Sequence, residues 1–194
     1  MSFYALALFA HLVGVLGLFI TIGLQWTSTL RLRRAQTLAQ VREWTSLVEG
    51  VGKLGPASGL LLLAAGMYMT ATAWNMNTPW IEVGFFALLA LMALGMGVPF
   101  RRLKAIRRAV AKTAVPDEAL PPEVQRQIAD PLLWTSVQVM GSLALGVVFL
   151  MTIKPDLAGS LLVLAVVAVL GVVSAQPWRR PRAALLPTQE AHMG

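Results

Sequence analysis

The sequence predicts an all-helical integral membrane protein, a bundle of five transmembrane helices. Three observations lead to this prediction: five long apolar stretches, a low content of charged residues, and an uneven distribution of the basic residues. The stretches are Phe3–Trp26, Leu54–Trp74, Trp80–Phe100, Leu132–Ile153 and Leu157–Gln176. Each can cross a hydrocarbon core of about 30 Å at about 1.5 Å per helical residue. Because a backbone in lipid must satisfy its own hydrogen bonds, these stretches must be helices.

The composition agrees with a membrane protein. Apolar residues make up 57% of the chain and charged residues only 13%, whereas a soluble domain carries about 25% charged residues. The chain has no cysteine, which excludes disulfides, thiolate metal sites and iron–sulfur clusters. The first stretch lacks the basic leader of a cleavable signal peptide. We therefore predict one transmembrane domain over residues 1–178 and a tail over residues 179–194.

The basic residues predict the orientation of the bundle. Of sixteen lysines and arginines, only Lys154 falls in a connection that follows an even-numbered span; the other fifteen lie in the first loop, the third loop and the tail. The positive-inside rule then places the N-terminus outside and the C-terminus in the cytoplasm of a bacterial inner membrane. Five tryptophans at or near the span ends are interpreted as interfacial anchors: Trp26, Trp74, Trp80, Trp134 and Trp178.

Two segments of the long loops have helical apolar spacing. The first is formed by Leu38, Val41, Thr45 and Val48, and the second is Arg101–Lys112, with a stripe of Leu103, Ile106 and Val110. We predict short amphipathic helices on the inner leaflet, of which Arg101–Lys112 binds anionic lipids. Nucleic acid is the less favoured partner, because the basic segment has no aromatic residue on which bases could stack.

His11 is the sharpest candidate for a functional residue, because it is the one histidine inside a predicted span. A neutral imidazole there can ligate haem iron or a metal, or can form a structural hydrogen bond to another helix. Helical rise from the outer ends of the first two spans places Met67 and Tyr68 at the depth of His11. We interpret Met67 as a candidate second axial ligand and Tyr68 as a candidate hydrogen-bond partner.

Small residues at a spacing of four also occur in two spans, as Gly55 with Gly59 and as Ser142 with Gly146. Such faces let helices approach closely, either within one chain or between two copies.

Several short elements resemble a bacterial family of predicted integral membrane proteins of unknown function. They are Phe9–Gly14 around His11, Pro56 to Gly66, Pro79-Trp80, Pro99–Arg102 and Met151–Pro155. That family is similar in layout to the copper-resistance D type membrane domain and to the HemJ-type protoporphyrinogen oxidase. The resemblance implies haem b at His11. The lysine of a later helix on which the HemJ type relies has no intramembrane counterpart here.

From these observations we expect a non-catalytic membrane protein, an accessory or assembly subunit of a larger complex that binds haem at His11. The alternatives are a haem-dependent oxidoreductase of the HemJ kind and a small transporter. A transporter should have broken helices and paired polar groups at the midplane, and the sequence shows neither pattern. Homo-oligomerisation or another membrane protein partner is left open by the small-residue faces.

Overall fold

The computed structural model describes residues 2–75, 77–111 and 120–176. Within these ranges the chain forms seven α-helices: α1 (Phe3–Arg34), α2 (Leu38–Gly50), α3 (Leu54–Ala73), α4 (Pro79–Ala111), α5 (Pro122–Ile128), α6 (Pro131–Ile153) and α7 (Leu157–Ser174). Five of them, α1, α3, α4, α6 and α7, belong to segments that are long and apolar enough to cross a membrane. The predicted all-helical fold with five spans is confirmed. The predicted tail, residues 179–194, and Trp178 lie outside the described ranges.

The helix ends follow local sequence signals. Asp130 accepts a hydrogen bond from the backbone N–H of Leu132 at 2.8 Å and precedes Pro131, the first residue of α6. An N-cap carboxylate followed by a proline, which has no N–H to lose, is a typical signal for the start of a helix. Asp156 caps α7 in the same way, accepting from Gly159. Between these helices Lys154 ends α6 with a left-handed backbone, at φ 56°, which lets the chain reverse.

Helices α1 and α3 pack closely through small residues. A Cβ added to Gly14 would lie 3.1 Å from the Ser58 carbonyl oxygen, and one added to Gly55 would lie 3.0 Å from Thr21. Gly59 faces α4 on the other side of α3, since a Cβ added to Gly59 would lie 2.8 Å from Met92. The Gly55–Gly59 pair therefore packs within one chain, where it lets α3 fit between α1 and α4.

The α6–α7 hairpin is held in the same manner. A Cβ on Gly146 would lie 2.7 Å from Val167, and a Cβ on Gly171 would lie 2.7 Å from the backbone Cα of Val139. At the turn, the ammonium of Lys154 lies 4.4 Å from the ring centroid of Trp74 and 5.6 Å from that of Trp80. These cation–π contacts join the α6–α7 turn to the α3–α4 connection.

At the other end of the bundle the chain forms a compact layer, which we call the basic-face cap: α2, residues 101–111 of α4, and α5. Its apolar residues pack with the end of α1 and the start of α6 in one buried cluster: Leu32, Ala35, Leu38, Val41, Leu103, Ile106, Val110, Val124, Ile128 and Leu133. Arg102 binds Asp130 at 2.8 Å across the cap, and the Arg42 guanidinium donates to the Val110 carbonyl at 3.3 Å. The cap is thus a packed protein layer.

Two sequence-based predictions are wrong at this end. Residues 101–111 are not a separate helix on a leaflet: they continue α4, and the stripe of Leu103, Ile106 and Val110 is buried against protein. Trp134 is not an interfacial anchor, because only 1% of it is exposed and the Arg33 guanidinium lies 4.9 Å from its ring centroid. Residues of α2 and α5 cover the stripe of α4, which a bare bundle would expose. The exposed basic side chains of residues 101–111 still allow the predicted binding of anionic lipids, which stays a prediction.

Candidate functional site

A cavity of about 600 Å³ lies between the transmembrane bundle and the basic-face cap. Its volume falls within the range of about 300–1,000 Å³ typical of small-ligand pockets. Helices α1, α2, α3, α4 and α6 all contribute side chains, together with the α2–α3 connection. We call it the basic-face cavity. It joins side chains that are far apart in the sequence and was not predicted from it.

The deep wall of the basic-face cavity is apolar. Leu18 and Ile22 of α1, Leu91 and Met92 of α4, and Met140 of α6 line it. Gly95 of α4 leaves space at this wall, since a Cβ there would lie 3.0 Å from the flexible Met140 Cε. Thioether and aliphatic side chains adapt to a flexible apolar ligand rather than to a rigid polar one.

The mouth of the cavity is charged. Lys53 of the α2–α3 connection and Lys104 and Arg107 of α4 line it, with Glu49 of α2 as the carboxylate among the lining residues. Glu49 forms an ion pair with Arg107. The Lys104 ammonium lies 5.8 Å from the centroid of the Phe100 ring. With the one carboxylate paired, the two lysines give the mouth a net positive charge.

Gln25 of α1 supplies a polar group inside the cavity. It is a lining residue, and its Oε1 is buried without a hydrogen-bond partner among the described residues. An unpaired buried amide costs about 1–3 kcal/mol, so a ligand that hydrogen-bonds to Gln25 would recover part of that free energy.

His11 lies outside the basic-face cavity, where α1 packs against the second half of α3. A Cβ added to Gly66 would lie 3.6 Å from both His11 Nδ1 and Cε1, so the imidazole lies over this glycine. The backbone of Leu62, one turn earlier in α3, also interacts with the ring. No hydrogen bond of acceptable geometry reaches Nδ1 from the residues that the structure describes, and that atom is buried.

Met67 and Tyr68 are the predicted partners of His11, and the structure places both at the surface. Met67 is 52% exposed and Tyr68 is 42% exposed. Successive helical residues are rotated by about 100°. With Gly66 against His11, the next two residues are therefore turned away from it. The predicted depth was correct to one residue, but Gly66 is the residue that faces the imidazole.

These residues fit only part of a haem site. A histidine that can act as a ligand is present inside a span, and the Leu62 backbone that interacts with its ring is the kind of acceptor that orients a ligating imidazole. The proposed second ligand, Met67, is directed elsewhere. His11 alone therefore carries the haem prediction.

The fold and these two sites define the class of protein: a multi-pass helical membrane protein with a ligand-sized cavity under a packed cap. Comparison with protein-family models, curated proteins and solved structures finds no significant match to this chain. The resemblance to the copper-resistance D and HemJ types consequently stays a prediction that rests on short sequence elements.

Proposed function

We propose that this chain is a non-catalytic protein of the bacterial inner membrane that binds a hydrophobic molecule from the bilayer in the basic-face cavity. The observation that carries the proposal is the cavity itself, with its apolar deep wall and its polar groups at the mouth. The lining supports binding rather than chemistry, since its carboxylate is held by Arg107. Binding of such a ligand is compatible with the predicted role of an accessory or assembly subunit of a larger membrane complex.

A neutral photoreactive probe tests this function. The protein in nanodiscs is irradiated with a long-chain alcohol that carries a diazirine in its tail, and labelled peptides are mapped by mass spectrometry. We expect labelling of α4 near Met92 and Met96, because both line the cavity. Gly95→Leu should lower it strongly by filling the deep wall.

Gly97→Leu is the matched control for the filling variant. It introduces the same side chain two residues further along α4, where nothing lies within 4 Å of an added Cβ. It should leave the labelling unchanged. Labelling spread evenly over the lipid-exposed helices, with no difference between the two variants, would refute a cavity-binding function.

The orientation is a separate prediction. A reporter fused after Gly194 should be active in the cytoplasm, because the basic residues gather on that side of the bundle. The structure places the basic-face cap and the Lys154 turn at opposite ends of α4 and α6. Alkaline phosphatase activity from the C-terminal fusion, and not from a fusion in the α3–α4 connection, would reverse the assignment.

Haem binding at His11 is a second candidate function, favoured by a buried imidazole whose Nδ1 forms no hydrogen bond of acceptable geometry with a described residue. If His11 ligates haem, protein purified from its native membrane should show a Soret band that His11→Leu abolishes. If His11 has a structural role instead, the Soret band should be absent and His11→Leu should lower thermal stability by about 1 kcal/mol, because the contact of the ring with the Leu62 backbone is lost. A colourless wild-type protein together with a destabilised variant would contradict haem binding at His11.

A further inference from the structure

One continuous stripe of α4 grades from apolar to cationic along the basic-face cavity. Met92, Met96, Phe100 and Lys104 recur every four residues, so they share one face of the helix, and all four line the cavity. From Met92 to Lys104 the helix rises by about 18 Å. A membrane lipid that enters from one leaflet would place its apolar tail along the Met92 end of this stripe and its charged head group at the Lys104 end.

The cavity opens at the side of the bundle as well as at its charged mouth. Met96 and Phe100 line it and are each 55% exposed. Pro56 of α3, another lining residue, is exposed too. These residues belong to α3 and α4, in or next to the apolar spans, where the surrounding medium is lipid. The gap between α3 and α4 therefore gives a lipid chain direct access without passage through water.

The charge at the mouth selects among lipids. Lys53 and Lys104 are exposed, and neither forms an ion pair with a described residue. Arg107 is partly neutralised by Glu49. A lysine ammonium near the membrane surface attracts an anionic head group with about 1 kcal/mol. The mouth therefore favours a lipid with a negatively charged phosphate over a zwitterionic one.

From this geometry, and resting on the proposed function, we propose that the basic-face cavity holds one acyl chain of an anionic phospholipid whose phosphate lies between Lys53 and Lys104. Gln25 then meets the ester region below the phosphate. Its amide can donate from nitrogen or accept at oxygen depending on how the group is turned, and it donates to the ester carbonyl. The site combines the tail, the ester and the phosphate of a single lipid.

Two photoreactive lipids with identical diazirine tails test the inference in nanodiscs: phosphatidylglycerol and phosphatidylcholine. We expect phosphatidylglycerol to label the α4 peptide around Met92 and Met96 in preference to phosphatidylcholine. Lys53→Gln and Lys104→Gln should each reduce that preference by about five-fold. Arg101→Gln and Arg108→Gln, each made singly like the lysine variants, are the charge-matched controls, since both arginines are exposed on α4 and neither lines the cavity.

Each outcome decides a different point. If the preference for phosphatidylglycerol is lost in the lysine variants and kept in the arginine controls, the result supports the site. Equal losses in both would show a general surface attraction and overturn it, as would equal labelling by the two lipids. In those cases labelling of α4 by the neutral alcohol probe still supports the proposed function. If no probe labels the cavity in wild-type protein, both proposals fail.

Discussion

Replacing Gly171 with leucine should separate α7 from the rest of the bundle. In the structure α7 contacts α6 so closely here that a Cβ on Gly171 would lie 2.7 Å from the Val139 Cα and 3.1 Å from Ser142 Oγ. The first of these is a backbone atom, which cannot rotate away as the end of a side chain would. Overpacking costs about 1–3 kcal/mol where neighbours can adjust. Against a backbone we expect at least the upper end of that range.

The cysteine-free chain makes this displacement measurable. In Gly146→Cys with Val167→Cys the two Cβ atoms would lie about 3.6 Å apart, which is within the range for a disulfide of about 3.5–4.5 Å. Oxidation should cross-link this pair, and adding Gly171→Leu should slow cross-linking by about ten-fold or more. Gly23→Leu is the control, because nothing lies within 4 Å of an added Cβ there. Equal cross-linking in both backgrounds would contradict the close approach.

The sequence predicted best what depends on one helix at a time. The five spans follow from apolar length, and α6 starts at the local capping signal of Asp130 and Pro131. Apolar length and capping residues do not show which face of a helix is turned toward its neighbours. Counting residues located the part of α3 that lies level with His11 of α1, but Gly66 rather than Met67 faces the imidazole. The depth of a residue in the membrane does not determine how its helix is rotated about its own axis.

Features that depend on several helices were missed or misjudged. Trp134 is buried beside Arg33 at the end of α1, whereas a tryptophan near a helix start is equally typical of an interface. The basic-face cavity needs five helices placed together. One signal was present in the sequence, the stripe from Met92 through Phe100 to Lys104, but apolar neighbours at the same spacing also occur on lipid-facing surfaces.

Changing Ile106 to aspartate should open the basic-face cap. Ile106 is completely buried within the apolar cluster that joins α2, α4, α5 and the start of α6. An aspartate there would be an unpaired buried charge, which costs about 3–5 kcal/mol. The cap should unfold before the transmembrane spans do, because the apolar length of the spans is enough to keep them in the bilayer. Limited trypsin digestion should therefore cut the cap arginines rapidly, at a lower temperature than in the wild type.

Ala105→Asp is the matched control, since Ala105 is the adjacent residue of α4 and is exposed. The same charge placed there meets solvent or head groups and should leave the digestion rate within about two-fold of wild type, because exposed substitutions change stability by about 0.5 kcal/mol or less. If residues 101–111 instead lay on the leaflet with their apolar stripe in lipid, Ile106→Asp would weaken membrane contact and leave α2 and α5 unaffected. Rapid cleavage confined to α4 would then replace cleavage throughout the cap, so the pattern of fragments distinguishes a packed cap from a surface helix.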